Sequence, residues 1–194
     1  MSERNGRPLL QLVRGRNDEH HIGKVRLSIF SPKNAPPCDA LVLEEDIWQI
    51  LAAGPDFSPC TEHPIRIWTE LLDTKPLPAG TIMLREGVPL ILIAVVYDFD
   101  EVPCCRSRWI SAALTEIYRI CRERHIHSLL LPLPGVRHGR ISLRKSLRLV
   151  IRTLKHGNKD GLRRVMLACT SEDEEKTVEH LLAAETELWS RARK

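Results

Sequence analysis

Aromatic side chains are scarce in this sequence: Phe, Trp and Tyr together make up 5% of 194 residues. Single-stranded nucleic acids are gripped largely by bases stacking on aromatic rings set among cations, so this shortage argues against that mode of binding. Long apolar runs are missing too. The longest, VPLILIAVVY (Val88–Tyr97), falls well short of the roughly 18 residues a membrane-spanning helix needs, and its β-branched content reads as a buried strand. The opening MSERNGRPLL has no apolar signal core and no small-residue cleavage pattern, so a cytoplasmic protein with no membrane partner is expected.

Several chemical signatures are absent. There is no C-x-x-C pair among the six cysteines, Cys38, Cys60, Cys104, Cys105, Cys121 and Cys169. A zinc site or a disulfide framework is therefore not expected, and the cysteines read as reduced, small hydrophobes. No G-x-S-x-G elbow, no G-x-x-x-x-G-K-[ST] and no G-x-G-x-x-G occurs. His125 and His127 straddle a strand entry and read as poor joint metal ligands. No metal and no cofactor are expected.

Acids nearly vanish over one long stretch. From Arg106 to Arg164 there are fifteen Lys or Arg but only Glu116, Glu123 and Asp160. Acids concentrate instead in SEDEEKTVEH near the C-terminus and in LEED around Glu44. Such a split suits an anionic ligand, a nucleic acid or an acidic partner; equally, the acidic helix can lie beside the basic face and neutralise it.

What is present is ordered hydrophobic patterning. Residues 1–22 read as an N-terminal arm or an edge strand, with RPLLQLVRGR as the strand candidate, and 23–194 as a single domain. Strands are expected at Lys24–Phe30, Cys38–Glu44, Thr81–Glu86, Val88–Phe99, Ser128–Leu133 and Arg163–Thr170. IWQILAA after Asp46 reads as a brief helix, and Pro64–Leu72 as another with Pro at the permissive first position. Longer helices are expected at Arg106–Arg124, Ser142–Lys155 and Ser171–Arg191, the last opened by Ser171 with Glu174 three residues on, a capping box. The four tryptophans, Trp48, Trp68, Trp109 and Trp189, fall at apolar positions on or near helices and read as core. The second half alternates strand and helix, the pattern of a parallel sheet with helices on its faces.

In such sheets, ligands bind beyond the carboxyl ends of the strands. The segment LPLPGVRHGRISLRKSL (Leu131–Leu147) runs from a strand end through a glycine-containing loop into a helix. A helix N-terminus is already partly positive, yet this one carries Arg144 and Lys145, preceded by Arg137, His138 and Arg140. Either an anion is received there or the cations form a solvated surface. The candidate ligand residues are Gly135, Val136, Arg137, His138, Gly139, Arg140, Ser142 and Lys145. Glu44, Glu45, Asp46 and Asp98, at other strand ends, are weaker candidates, and they read equally as helix starters and turn formers. Arg144, Arg148, Arg152 and Lys155 form a basic stripe along one helix face. It is either solvated or able to meet a protein or a nucleic-acid backbone.

With the strands placed, the chain resembles the macro domain over about residues 24–185. CDALV (Cys38–Val42) is similar to the family's strand written vDaIVNAAN. Leu77–Val96 resembles its "G…vT.G…iiH.v" segment, and Tyr118–Gly135 resembles the end of its long helix and the following "siafP…G" strand. GVRHGRI (Gly135–Ile141) stands in the place of the family's phosphate-binding loop. The resemblance implies a three-layer α/β/α fold with a mixed, largely parallel sheet of about six strands. It also implies ADP-ribose or a related nucleotide as ligand. Where the family has NAAN, this chain has LEED (Leu43–Asp46). The glycine-rich loop is replaced by WQILAAGPDFSP, with Gly54 alone, and SPKN offers no adenine-reading aspartate. Those departures remove the asparagine used by hydrolytic members, so the expectation is a binding module that is not an enzyme.

Overall fold

A computed structural model describes residues 20–31, 35–51, 75–157 and 161–191. Seven strands form one mixed sheet: β1 (His20–Ile22), β2 (Val25–Phe30), β3 (Ala40–Asp46), β4 (Ile82–Arg85), β5 (Leu90–Tyr97), β6 (Ser128–Pro132) and β7 (Arg164–Ala168). Their order is β1-β2-β7-β6-β3-β5-β4. The five inner strands run parallel, and β1 and β4 close the two edges antiparallel. The sheet exceeds the expected six by β1, which belongs to the stretch read as arm or edge strand. The candidate RPLLQLVRGR itself lies outside the described residues.

Among the described residues three helices alternate with the last strands: α1 (Ser107–Glu123), α2 (Leu143–Gly157) and α3 (Glu172–Arg191). They lie in a row, α1 on β5 and β4, α2 between, and α3 on β1 and β2. The strand alternation decides what they cover. Leu27, Val165, Leu129, Ala40, Leu90 and Leu92 share one face by register and belong to the main core with Ile110, Leu114, Ile117, Leu147, Val150 and Leu154 of the helices. The other face carries Met166, Leu130, Ile93 and Val95, which are buried as well. Inner parallel strands buried on both faces explain why LILIAVVY reads as continuous rather than alternating. The helix expected at Pro64–Leu72, with Trp68, and Cys60 lie outside the described residues.

Local chemistry sets the element ends. Helix α1 stops in a Schellman arrangement: His125 takes the left-handed conformation (φ 56°), its N–H donates to the Arg122 carbonyl, and the Ile126 N–H donates to the Cys121 carbonyl. His125 is thus a helix terminator, while the His127 N–H is held by Asp39 at 2.9 Å. The expected capping box on α3 forms in a shifted version. The Glu174 N–H donates to Ser171 Oγ, but the Glu174 carboxylate reaches back to Thr170, accepting from its N–H and its hydroxyl at 2.7 Å each. The brief helix expected at IWQILAA is corrected over its described part. Ile47–Gln49 is a turn with Gln49 left-handed (φ 61°), and acidic side chains rather than a helical ladder collect the N–H groups that follow.

Candidate functional site at the carboxyl edge of the sheet

The ends of β3, β5 and β6 meet at one edge of the sheet. Three consecutive acids leave β3 there, and each has a different environment. Glu44 shares its face with Ala94 and looks toward the helices. Its Oε1 accepts two hydrogen bonds, from the Gly135 N–H at 2.6 Å and from the Tyr97 hydroxyl at 2.9 Å. A register shift makes this possible. Asp46 pairs with Tyr97 where Glu45 pairs with Val95, so β5 bulges by one residue and Tyr97 turns onto the face of Glu44.

Glu45 and Asp46 turn inward and are 1% and 0% exposed. Asp46 Oδ1 accepts from the Trp48 N–H at 2.7 Å, and Oδ2 from the Ile50 and Leu51 N–H groups at 2.8 and 3.0 Å. Glu45 Oε1 accepts from the Asp46 and Leu51 N–H groups, both at 2.9 Å. Two carboxylates therefore fill a concavity of backbone N–H groups, the kind of nest that elsewhere receives anions. Asp98 behaves as a turn former: its Oδ1 accepts from the Asp100 N–H at 3.1 Å, and its own N–H donates to the Cys104 carbonyl at 2.8 Å.

The loop from Gly135 to Ile141 packs tightly on the segment that precedes α1. Gly135 is left-handed (φ 78°), and a Cβ there would lie 2.8–2.9 Å from Ile110, Cys105 and Ile141 side chains. A Cβ on Gly139 would sit 2.3 Å from the Cys105 Cβ and 2.8 Å from the Gly135 carbonyl oxygen. The Gly135 carbonyl accepts the Ile141 N–H at 3.1 Å and closes the loop on itself. Both glycines therefore serve protein packing, while Arg137 and Arg140 remain exposed, the latter left-handed (φ 53°). Val136 is half-buried. The His138 ring meets Tyr97 edge-on, centroids 5.5 Å apart. Ser142 caps α2 through its Oγ, which accepts the Lys145 N–H at 3.3 Å; Lys145 itself is exposed.

Charge and burial perturb these groups together. Burial pushes the Glu44 carboxyl up to about 7, against the opposing pull of the Gly135 N–H, the Tyr97 hydroxyl and the Arg137 charge. Burial and then Glu44 raise the Tyr97 hydroxyl far above its ordinary value. Burial, aided by Glu44, pushes the Cys105 thiol up to about 12, with Lys145 pulling the other way. Burial and Arg137 lower His138.

The structure brings Glu44 to the Gly135 loop, two weakly related candidates in the sequence. It keeps Asp98 in its own turn and Glu45 and Asp46 in theirs. Reading the sequence missed Tyr97 and Cys105 as members of this cluster. The signal for Tyr97 was its place as the one aromatic at the end of an otherwise aliphatic strand. Phe99 stacks on Tyr97 at 5.8 Å with a 6° interplanar angle and is 47% exposed. Trp48, expected as core, is half-buried and donates from Nε1 to Asp100 Oδ2 at 2.8 Å. Trp109 is buried as expected, with the Arg106 and Arg108 guanidinium groups 5.0 and 5.7 Å from its ring.

The basic stripe divides. Arg144 and Arg152 are exposed, Lys155 is half-buried, and Arg148 Nε donates to Glu185 Oε1 of α3 at 2.6 Å. Among the described residues no group of three or more His, Cys, Asp or Glu is arranged to hold a metal, and no helix is long and apolar enough to cross a membrane.

This sheet order is that of the macrodomain fold. Similar solved structures bear the fold out. The Oceanobacillus iheyensis macrodomain, in a point-mutant form with ADPR, superposes with a TM-score of 0.61 at 17% identity, covering 87% of this chain and 98% of that one. The same macrodomain with ADP gives 0.62 at 16% identity, covering 87% and 96%. The Trypanosoma brucei macrodomain in complex with ADP-ribose gives 0.58 at 18% identity, covering 79% and 68%. No family model matches the sequence, and no curated protein matches it either.

Proposed function

We propose that this protein is a macrodomain-like binding module for a phosphorylated ligand, ADP-ribose or a related nucleotide, held at the Gly135–Lys145 loop and helix start, and that it is not an enzyme. The observation that carries this reading is the loop after β6: exposed Arg137 and Arg140 lead into a capped helix N-terminus at the carboxyl edge of a parallel sheet. Binding of ADP-ribose and ADP by proteins of the same fold supports the ligand class. The non-catalytic part rests on LEED in place of NAAN: Leu43 and Asp46 stand at the two asparagine positions, and both Asp46 oxygens are taken up by N–H groups of its own turn. We extend the proposal to a cytoplasmic setting, where the thiols of Cys38, Cys104, Cys105, Cys121 and Cys169 would stay reduced.

The test is titration calorimetry with ADP-ribose, with AMP and pyrophosphate as controls. Binding at about micromolar Kd is expected. Arg137→Ala with Arg140→Ala should abolish it and leave the melting temperature nearly unchanged. Undiminished affinity in that double variant would overturn the site.

A second reading, an interaction module without a small-molecule ligand, draws on the exposed Arg144 and Arg152 of the stripe. It predicts binding to a nucleic acid or an acidic protein that weakens steeply with salt. The Arg148–Glu185 pair counts against it, since one cation of the stripe is already satisfied within the fold.

A further inference from the structure

We propose that Glu44 is a ligand-contacting residue of this site: its carboxyl stays seated on the Gly135 N–H and the Tyr97 hydroxyl through Oε1 and receives the ligand's phosphate through a protonated Oε2. The inference rests on the ligand reading above and gives it a property that reading does not contain. Ligand binding becomes linked to uptake of one proton.

The geometry comes first. Glu44 Oε1 is saturated by two donors, whereas no described residue donates to Oε2. The Gly135 N–H, which opens the loop proposed to cradle the phosphate, already holds an anion supplied by the chain itself. An ionised Glu44, half-buried beside the loop, and a phosphate on that loop would be two neighbouring negative charges that repel. One proton between them converts repulsion into a hydrogen bond, as in any pair of acids sharing a site. The proton comes from solvent and rests on Oε2, so no other bond is made or broken.

The neighbours on every side allow this. Tyr97 and Cys105 stay neutral, because burial and Glu44 hold both well above their ordinary values. Arg137 supplies positive charge from the loop, and Lys145 from α2. His138 is lowered by burial and by Arg137, which favours its uncharged form. Asp46, two residues along β3, is tied to backbone N–H groups of its own turn. Burial raises the Glu44 carboxyl to about 7.

The experiment is calorimetric titration of the full chain with ADP-ribose from pH 5.5 to 8.5, repeated in buffers of different ionisation enthalpy. ADP-ribose is chosen because its diphosphate does not titrate over that range. Wild type should take up close to one proton per ligand above about pH 7.5 and lose about tenfold in affinity per pH unit there. Below about pH 6 both effects should fade. Glu44→Gln, which keeps an acceptor for Gly135 and Tyr97, should bind at a pH-independent affinity with no proton uptake. Tyr97→Phe removes one donor to the carboxylate, so the break in the wild-type profile should move to higher pH. Should Glu44→Gln fail to fold, the proton count of the wild type and the Tyr97→Phe shift still decide. Tight binding with no proton uptake at any pH overturns the role of Glu44 and leaves the ligand reading intact. No binding at any pH, by wild type or by Glu44→Gln, overturns the ligand reading and this inference with it.

Discussion

Glu44 and Gly135, 91 residues apart in sequence, are joined by a 2.6 Å hydrogen bond from the glycine N–H to the carboxylate. That bond ties the end of β3 to the loop after β6 and puts a titrating acid at the centre of the candidate site. Burial of that acid has a cost for stability that depends on pH. The Glu44 carboxyl lies at about 7 against an ordinary 4.5, so the folded state holds its proton more tightly than the unfolded chain does. A raised value stabilises fully below the unfolded pKa, and that contribution is lost as pH rises from about 4.5 through 7.

Glu44→Gln should therefore match the wild type near pH 4.5 and exceed it in stability at pH 8, by on the order of 2 kcal/mol. Melting curves recorded across pH 4.5–8.5 check this. Parallel curves for the two proteins would refute the burial account of Glu44.

Gly139→Ala should destabilise severely. The added Cβ meets the Cys105 Cβ at 2.3 Å and a backbone oxygen at 2.8 Å, neither of which can swing aside like the tip of a flexible side chain. About 3 kcal/mol or more is expected from overpacking of this kind. Gly23→Ala is the control: it meets nothing within 4 Å, and only its left-handed backbone (φ 62°) opposes the change, at about 1 kcal/mol. Urea denaturation of both variants separates the two mechanisms.

Asp39 guards the opposite end of β3. It accepts the His127 and Ser128 N–H groups at 2.9 and 2.8 Å. Burial pulls its pKa upward, but these bonds and that of the Ser128 hydroxyl outweigh it and leave the carboxyl below its ordinary value. A depressed carboxyl stabilises above the unfolded pKa of 3.8 and loses that contribution as pH falls. Asp39→Ala should cost about 1–2 kcal/mol at pH 7 and much less near pH 2, because the wild type has by then lost the same charge. Chemical denaturation at the two pH values reads the difference.

Arg148 and Glu185 join α2 to α3, with side chains 52% and 8% exposed. Arg148→Ala leaves a buried acid without its cation and should cost about 2 kcal/mol. Arg148→Ala with Glu185→Leu should recover most of that loss. Equal stability of single and double variants would mean the pair is too solvated to matter.

Much of this architecture was legible in the chain. The apolar periodicity of Arg106–Arg124 and Ser142–Lys155, and the short apolar runs at Val88–Phe99 and Ser128–Leu133, correspond to α1, α2, β5 and β6 to within two residues at each end. Periodicity depends on near neighbours, and burial follows it whatever the partner. Even the Ser171 cap was readable, since it acts over three residues. IWQILAA was not, because its turn is decided by the Asp46 and Glu45 carboxylates folding onto backbone N–H groups, a choice that also exists for helix starts.

The candidate site divides along the same line. The sequence by itself determined that cations gather between Gly135 and Lys145 at a strand-to-helix junction. Only the tertiary structure decided that Gly135 and Gly139 are needed by Cys105 and Ile110, that Arg148 belongs to Glu185, and that one of three adjacent acids reaches the loop. A bulge of one residue on β5 aims Tyr97 at Glu44, and pairing between strands is what sets it. Local sequence specifies which face a side chain takes along its own strand. Which groups share a low-dielectric edge, and so which of them titrate near neutrality, depends on strands brought together from far apart in the chain.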